Sequence, residues 1–397
     1  MIDLASYPWE AALAPNALLD PYEASEAVLR DCPPLFRSKP KMSRLSDGIW
    51  VATRFEPIRE IFGNAARYSS SAIYPYFRAM GIDLTAIPIQ LDPPVHTKYR
   101  KFLEPWFSPR AVVALEPVIR AEISRLIDTF EPRGHCDAAH EFSRVYPVKV
   151  FMQFMGFPEE RFEDFLSWSH PMHFEFENYE RMSWGVSSAL DYMREFIAEQ
   201  RERPNGGVAS KIVQGKIEGR KLSDDEILGT IFFLWDGGMD TVAATSSLMF
   251  RRLALDPDLQ KLLRGNPDKH ANAIEEFARM NPTVNTVRMA TEDHVLEGQQ
   301  IKAGDLLMCL AAAANFDPDK YEDPRRFRLD RKQNHHMTFV AGAHRCLGIN
   351  LARFEMRLAL SEFLRRIPPF RMQAGVTCEA TPGLLGAPHV PLVWDRA

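Results

Sequence analysis

Cys346 is the residue on which chemistry is most readily built. It stands in Phe339-Val340-Ala341-Gly342-Ala343-His344-Arg345-Cys346-Leu347-Gly348, and a helical run from Asn350 to Arg365 follows. Cys346 therefore sits just before a helix N-terminus. Peptide N–H groups and the positive end of the helix dipole converge there and favour a thiolate. Gly342, Ala343 and Gly348 let the backbone approach something flat and bulky. Three roles suit such a cysteine: a thiolate ligand, a nucleophile with His344 as base, or a capped buried thiol.

A second set lies in an unusually apolar stretch that contains Asp236-Gly237-Gly238-Met239-Asp240-Thr241. Each glycine inside a helix is about 1 kcal/mol less favourable than alanine. Two of them in a buried helix suggest close approach by another group and permit a local opening of the hydrogen-bond ladder. Asp236 and Asp240 share a face. Asp236 either pairs with a polar group away from any pocket or forms a polar anchor or second proton path. His96 and Arg100 also share a helical face and present two donors to an anion. Glu276 and Arg279 form an acid–base pair on one face, and Asp323-Pro324-Arg325-Arg326-Phe327 follows about fifty residues later.

Helices must position most of these residues. Arg110–Thr129, Glu159–Trp168 and Ser187–Arg201 carry helical periodicity, with an aromatic stretch, His170–Trp184, between the last two. Ser223 and Glu226 form a capping box for one long helix running to Leu255, before Asp256-Pro257. Short strands are predicted at Gly48–Ala52, Val287–Ala290, His294–Glu297 and Val390–Trp394. The fold class is mainly α with small peripheral β-sheets.

The 397 residues are 46% hydrophobic and 25% charged, as in ordinary globular proteins. A net charge of −5 gives no bias towards nucleic acid. The N-terminus lacks a basic, then apolar, leader, and no stretch nears the ~20 apolar residues of a membrane span. A cytoplasmic location is expected, with no membrane partner. The five cysteines, Cys32, Cys136, Cys309, Cys346 and Cys378, form no CxxC pair, so a structural zinc or dithiol is not expected.

The segment around Cys346 resembles the heme-binding loop of cytochromes P450, F-x-x-G-x-H-x-C-x-G. Val340 stands where that family usually has glycine. Asp236–Thr241 resembles the family's oxygen-activating segment, with Asp240 and Thr241 as its proton-delivering pair. Glu276, Arg279 and Arg326 resemble its fold-organising lock, and Phe316 stands where arginine is frequent. His96, Arg100, Arg288 and His344 resemble its heme-propionate partners. The similarity runs from about Asp92 to the C-terminus and is greatest to the camphor-hydroxylase group of bacterial P450s. It implies a single P450 domain over 1–397, with a helix-rich lobe and a smaller β-rich lobe. It also implies heme b (iron protoporphyrin IX) ligated by Cys346, and hydroxylation with O2. A thiolate ligand favours O–O cleavage, and the P450 thiolate is the standard instance of that rule.

No nucleotide fingerprint is present, so electrons are expected from outside. The resemblance implies a [2Fe–2S] ferredoxin and its NADH-dependent reductase, docking near Arg345, Arg100, Lys98 and Lys101. A monomer is expected. The family relative's ketone-binding tyrosine, eight residues before Asp92, is Leu84 here, while Tyr74 and Tyr76 lie nearby in the chain. Asp236 replaces an apolar residue. Phe77, Leu84, Phe233, Asp236, Gly237, Val284 and Leu384 are the expected substrate contacts, closed over by Phe174, Phe176, Tyr179 and Trp184. The expected substrate is a terpenoid or an ionone-like norisoprenoid rather than camphor. A small aromatic substrate is the alternative. A peroxide-driven enzyme would leave Asp240 and Thr241 idle, a heme-based sensor would need an output domain, and a thiol hydrolase would be colourless.

Overall fold

The apolar segment read as one long helix is two. In the computed structural model, which describes residues 22–38, 48–74, 77, 80–175, 178–332, 334–378 and 384–395, it forms helices Asp224–Met239 and Thr241–Leu255, joined at Asp240. The Ser223–Glu226 capping box is formed. At the junction the Thr241 hydroxyl donates to the Gly237 carbonyl at 3.1 Å. A side chain thus takes a backbone acceptor, and Asp240 departs from helical geometry at φ −119°.

Arg110–Thr129 is likewise divided, into Pro109–Val113 and Glu116–Phe130. Pro117 explains the break: it has no N–H to offer and its ring clashes with the preceding turn. The aromatic stretch is the reverse case. It is largely helical, because the flanking helices extend over Phe162–Phe174 and Tyr179–Glu202. The Asn178 side chain caps the second helix by accepting from Arg181 N at 3.1 Å. The two helices touch where Gly185 meets Trp168: a Cβ at 185 would lie 2.4 Å from the Trp168 carbonyl oxygen.

One five-stranded sheet runs in the order Leu35–Ser38, Ile49–Ala52, Leu306–Cys309, Thr286–Ala290, Tyr68–Ser69. Only the Ile49–Ala52 and Leu306–Cys309 pair is parallel, and Arg288 lies opposite Leu307. A second sheet joins Phe370–Met372, Pro391–Trp394 and His135–Asp137. His294–Leu296 forms a hairpin with Gln299–Ile301. The four strands read from sequence are therefore all present, to within a residue or so at their ends.

Two large clusters of buried side chains hold the helices together. In one, the rings of Phe142, Phe250 and Phe363 form a triangle with centroid separations of 5.5, 4.5 and 5.3 Å. It packs Thr241–Leu255 onto helix Ile349–Arg366, which follows the cysteine loop. Each buried Phe contributes roughly 1.5–3 kcal/mol by leaving water. The other cluster surrounds Asp224–Met239, where Phe232 and Trp235 are fully buried.

The expected ionic lock is present with a different third member. Glu276 accepts from Arg279 at 2.5 Å and from Arg331, not Arg326, at 2.5 Å. Arg326 offers only its carbonyl, which accepts from Arg331 at 3.0 Å alongside the carbonyls of Glu322 and Asp323. The loop turns its backbone towards the lock, so the inward arginine comes five residues later. Phe316 lies beneath the Arg279 guanidinium, 5.6 Å from it.

Candidate functional site

The cysteine loop is a tight turn closed by the Cys346 N–H donating to the Phe339 carbonyl at 2.9 Å. Val340 adopts φ +58°, ψ 177°, a region almost reserved for glycine. The turn is thus kept with a β-branched residue in a strained position. At Gly342, with φ +70°, a Cβ would lie 2.2 Å from the Phe62 carbonyl oxygen, so only glycine fits. The helix begins at Ile349. Burial pushes the Cys346 thiol above its ordinary range, and the Gly348 N–H with Arg100, Arg345 and Arg353 oppose this only in part. The helix end alone therefore does not make the thiolate; a bound metal cation would.

Four basic side chains converge beside this loop. The His96 and His344 rings lie 4.2 Å apart. Arg100, from the same helix as His96, donates to the Arg345 carbonyl at 2.6 Å. Arg288 is 3% exposed, bonds to Val287 O and Thr286 Oγ1 at 2.8 and 3.1 Å, and has no carboxylate in ion-pair reach among the described residues. Burial, then Arg288, His96 and Arg100, hold His344 down at about 3. Burial and Arg100 also lower His96, against Asp92 and Glu104. His96 Nδ1 and His344 Nε2 are buried without a hydrogen-bond partner among the described residues. Among the described residues the nearby anions are Glu104, 3.1 Å from Arg100, and Asp92, 3.8 Å from His344 and already engaged by Ser69 and Ser70 at 2.5 and 3.0 Å. Such a convergence of basic groups with two unpartnered imidazole nitrogens suits an anion.

Two glycines of these segments adjoin open space. A Cβ at Gly237 or Gly348 would meet no atom within 4 Å, whereas one at Gly238 would strike the Phe151 ring at 2.5 Å. One glycine of the pair thus faces a void and the other makes helix packing possible. A thiol, two orphaned imidazoles, two arginines and these open glycines fit heme with its propionates.

Asp240 is 5% exposed and its carboxylate is held by His173 Nδ1 at 2.8 Å. His173 Nε2 lies 3.2 Å from Asp236, and Tyr74 donates its hydroxyl to the other Asp236 oxygen. One Asp236 oxygen is therefore hydrogen-bonded by Tyr74, while the other faces His173 in ion-pair contact with no hydrogen bond among the described residues. His173 was not singled out from sequence. The available signal was two carboxylates one turn apart in an apolar helix, which require a cation when buried.

The expected substrate contacts divide. Phe77 is buried and stacks on Tyr74 with centroids 4.7 Å apart. Leu84 and Phe233 pack, half-buried, around the same cluster. Leu384 is buried, and its N–H donates to the His173 carbonyl at 3.1 Å. Val284 is 41% exposed. Trp184 is 43% exposed, with Arg181 over its ring at 4.6 Å, so it faces outward rather than closing a cavity. Tyr76 and Phe176 lie outside the described residues. Cys32, Cys136, Cys309 and Cys378 are buried.

A profile of the cytochrome P450 family matches residues 172–375. Probable cytochrome P450 127A1 of Sinorhizobium fredii is 36% identical over 386 residues, covering 96% of this chain and 92% of that protein. Steroid C26-monooxygenase of Mycobacterium tuberculosis is 32% identical, covering 74% of this chain and 81% of its own. The solved structure of CYP101C1 superposes with a TM-score of 0.85 at 30% identity over the whole of both chains. The chain belongs to the cytochrome P450 family. It is a monooxygenase whose cofactor is heme b, and it uses O2, a substrate and redox partners. Among the described residues no helix is long and apolar enough to cross a membrane.

Proposed function

We propose that this P450 hydroxylates a small, mostly apolar terpenoid or ionone-like norisoprenoid, near the camphor-hydroxylase group but with a different substrate. Cys346 would hold the iron, and His96, Arg100, Arg288 and His344 the propionates. Bound heme supplies oxygen activation and insertion into a C–H bond. Phe77, Leu84, Phe233 and Leu384 would exclude water and shape the cavity, with Gly237 leaving room beside the reacting centre. Thr241 would orient a water, and Asp240 would supply it with protons.

The observation that carries the choice of substrate is the Tyr74–Asp236 hydrogen bond. Leu84 offers no donor, and the Tyr74 hydroxyl is already engaged. Any ketone bound here, camphor or an ionone, would lack about 1 kcal/mol of orienting energy from these residues, so fit to the apolar cavity rather than a carbonyl hydrogen bond would select the substrate. The stack of Tyr74 on Phe77, with Phe232 edge-on at 5.7 Å, favours a small aromatic as the second reading.

Electrons would come from a [2Fe–2S] ferredoxin served by an NADH-dependent reductase. Arg345 and Lys101 are exposed beside the cysteine loop, while Lys98 and Arg100 are paired with Glu218 and Glu104. Arg345 would therefore carry most of the docking, and Arg345→Glu should weaken ferredoxin-driven turnover and its salt dependence. The enzyme would act as a cytoplasmic, single-domain monomer.

Visible titration of the ferric protein with β-ionone, camphor and a simple aromatic tests the substrate. A larger high-spin shift with β-ionone supports the reading, and an equal or larger shift with camphor refutes it. An aromatic that gives the largest shift selects the second reading.

A further inference from the structure

His173 joins three parts of the molecule. It is the penultimate residue of helix Phe162–Phe174. Its carbonyl accepts from Leu384 N at 3.1 Å. Its ring lies 2.8 Å from Asp240 and 3.2 Å from Asp236, each contact made through a different nitrogen. All three side chains are no more than 13% exposed. A neutral imidazole has one N–H and could satisfy only one carboxylate. A carboxylate against each nitrogen, one hydrogen-bonded and one in ion-pair contact, favours the doubly protonated ring.

We propose that His173 is a positioning residue for proton delivery: as a doubly protonated clamp it ties the end of helix Phe162–Phe174 to Asp236 and Asp240 and fixes where the Asp240 carboxylate points. The proposal rests on the reading of Asp240 as the proton-delivering acid. Closing this helix end and aiming that carboxylate are then one event. Asp236 is the second anchor: it keeps the ring protonated and, through Tyr74, joins it to the segment beside Phe77.

The charges around the clamp support this. Burial disfavours an imidazolium, but the carboxylates of Asp236 and Asp240 outweigh it and raise His173 to about 10. Burial also disfavours the Asp240 carboxylate, yet His173, Ser169 and Arg144 bring it below the ordinary range. His170, the next histidine along the helix, is lowered by burial and Arg144, against Glu175 and Asp240. The clamp's stabilisation is thus complete below the free histidine value near 6.5 and is lost as pH rises through about 10. On the acid side it is lost as Asp240 protonates below its free value near 3.8.

The test uses heme-loaded His173→Gln, Asp240→Asn and His170→Gln, together with imidazole 15N NMR of the diamagnetic reduced, carbon monoxide-bound protein. His173 should carry two ring protons at pH 8. His173→Gln should lower product formed per reductant consumed about tenfold, the loss of one charged hydrogen bond, with the balance appearing as peroxide. It should also speed amide exchange at residues 170–175. His170→Gln should change none of these. A neutral His173 at pH 8 overturns the proposal. So does wild-type coupling in His173→Gln when Asp240→Asn is uncoupled, a result that leaves the reading of Asp240 intact. Wild-type coupling in Asp240→Asn overturns that reading and the clamp with it.

Discussion

His96 and His344 face each other with ring centroids 4.2 Å apart, and each has a buried nitrogen with no hydrogen-bond partner among the described residues. Burial and neighbouring cations hold both below the usual histidine range, so neither ring satisfies itself by taking a second proton. An anion between them and the two arginines would supply the partner these nitrogens lack.

Replacing His344 with phenylalanine should therefore leave the fold intact and weaken heme retention by about ten- to a hundredfold, the range of a hydrogen bond to a charged group. Arg288→Gln should act in the same direction. Heme transfer to apomyoglobin measures both. Unchanged transfer rates would remove these residues from the propionate site.

The ionic lock gives a contrast between two nearby arginines. Arg331→Ala would leave the buried Glu276 charge short of one partner and should destabilise by about 3–5 kcal/mol. Arg326→Ala removes a side chain but keeps the carbonyl that the lock uses, and should fall within about 0.5 kcal/mol of wild type. Denaturant unfolding of the two variants decides the point. The reverse order would restore the assignment read from sequence.

Val340 holds a glycine-type conformation. Relief of about 1–3 kcal/mol of backbone strain should offset the loss of a half-buried side chain in Val340→Gly. The variant should be no less stable than wild type and should retain heme. A loss above about 1 kcal/mol would mean the backbone is not strained there.

The adjacent glycines should behave oppositely. Gly238→Ala drives a methyl into Phe151 and should destabilise by about 1–3 kcal/mol. Gly237→Ala meets nothing and should gain up to about 1 kcal/mol of helix stability; if Gly237 adjoins the substrate as proposed, it should also weaken substrate-induced spectral shifts. Equal stability for the two variants would contradict the placement of the void.

What was legible in the sequence is what depends on local pattern. The short strands, the capping box at Ser223, the helix after Cys346 and the pairing of Glu276 with Arg279 all follow from spacing. The break at Asp240 was not legible, because it depends on a hydroxyl competing for the Gly237 carbonyl. Arg331 and His173 were missed for a related reason: both are partners chosen by how loops and helix ends turn in space, and nothing in their own neighbourhood marks them. For Asp236 and Asp240 the need for a cation could be read, but not which residue meets it.

The central claim is that Cys346 ligates heme iron as a thiolate in a working monooxygenase. The most direct measurement is the carbon monoxide difference spectrum of the reduced protein, for wild type and Cys346→Ala. The wild type should show the red-shifted Soret band that distinguishes thiolate-ligated heme, and Cys346→Ala should lack it. The same red-shifted band in both proteins would contradict the assignment of Cys346.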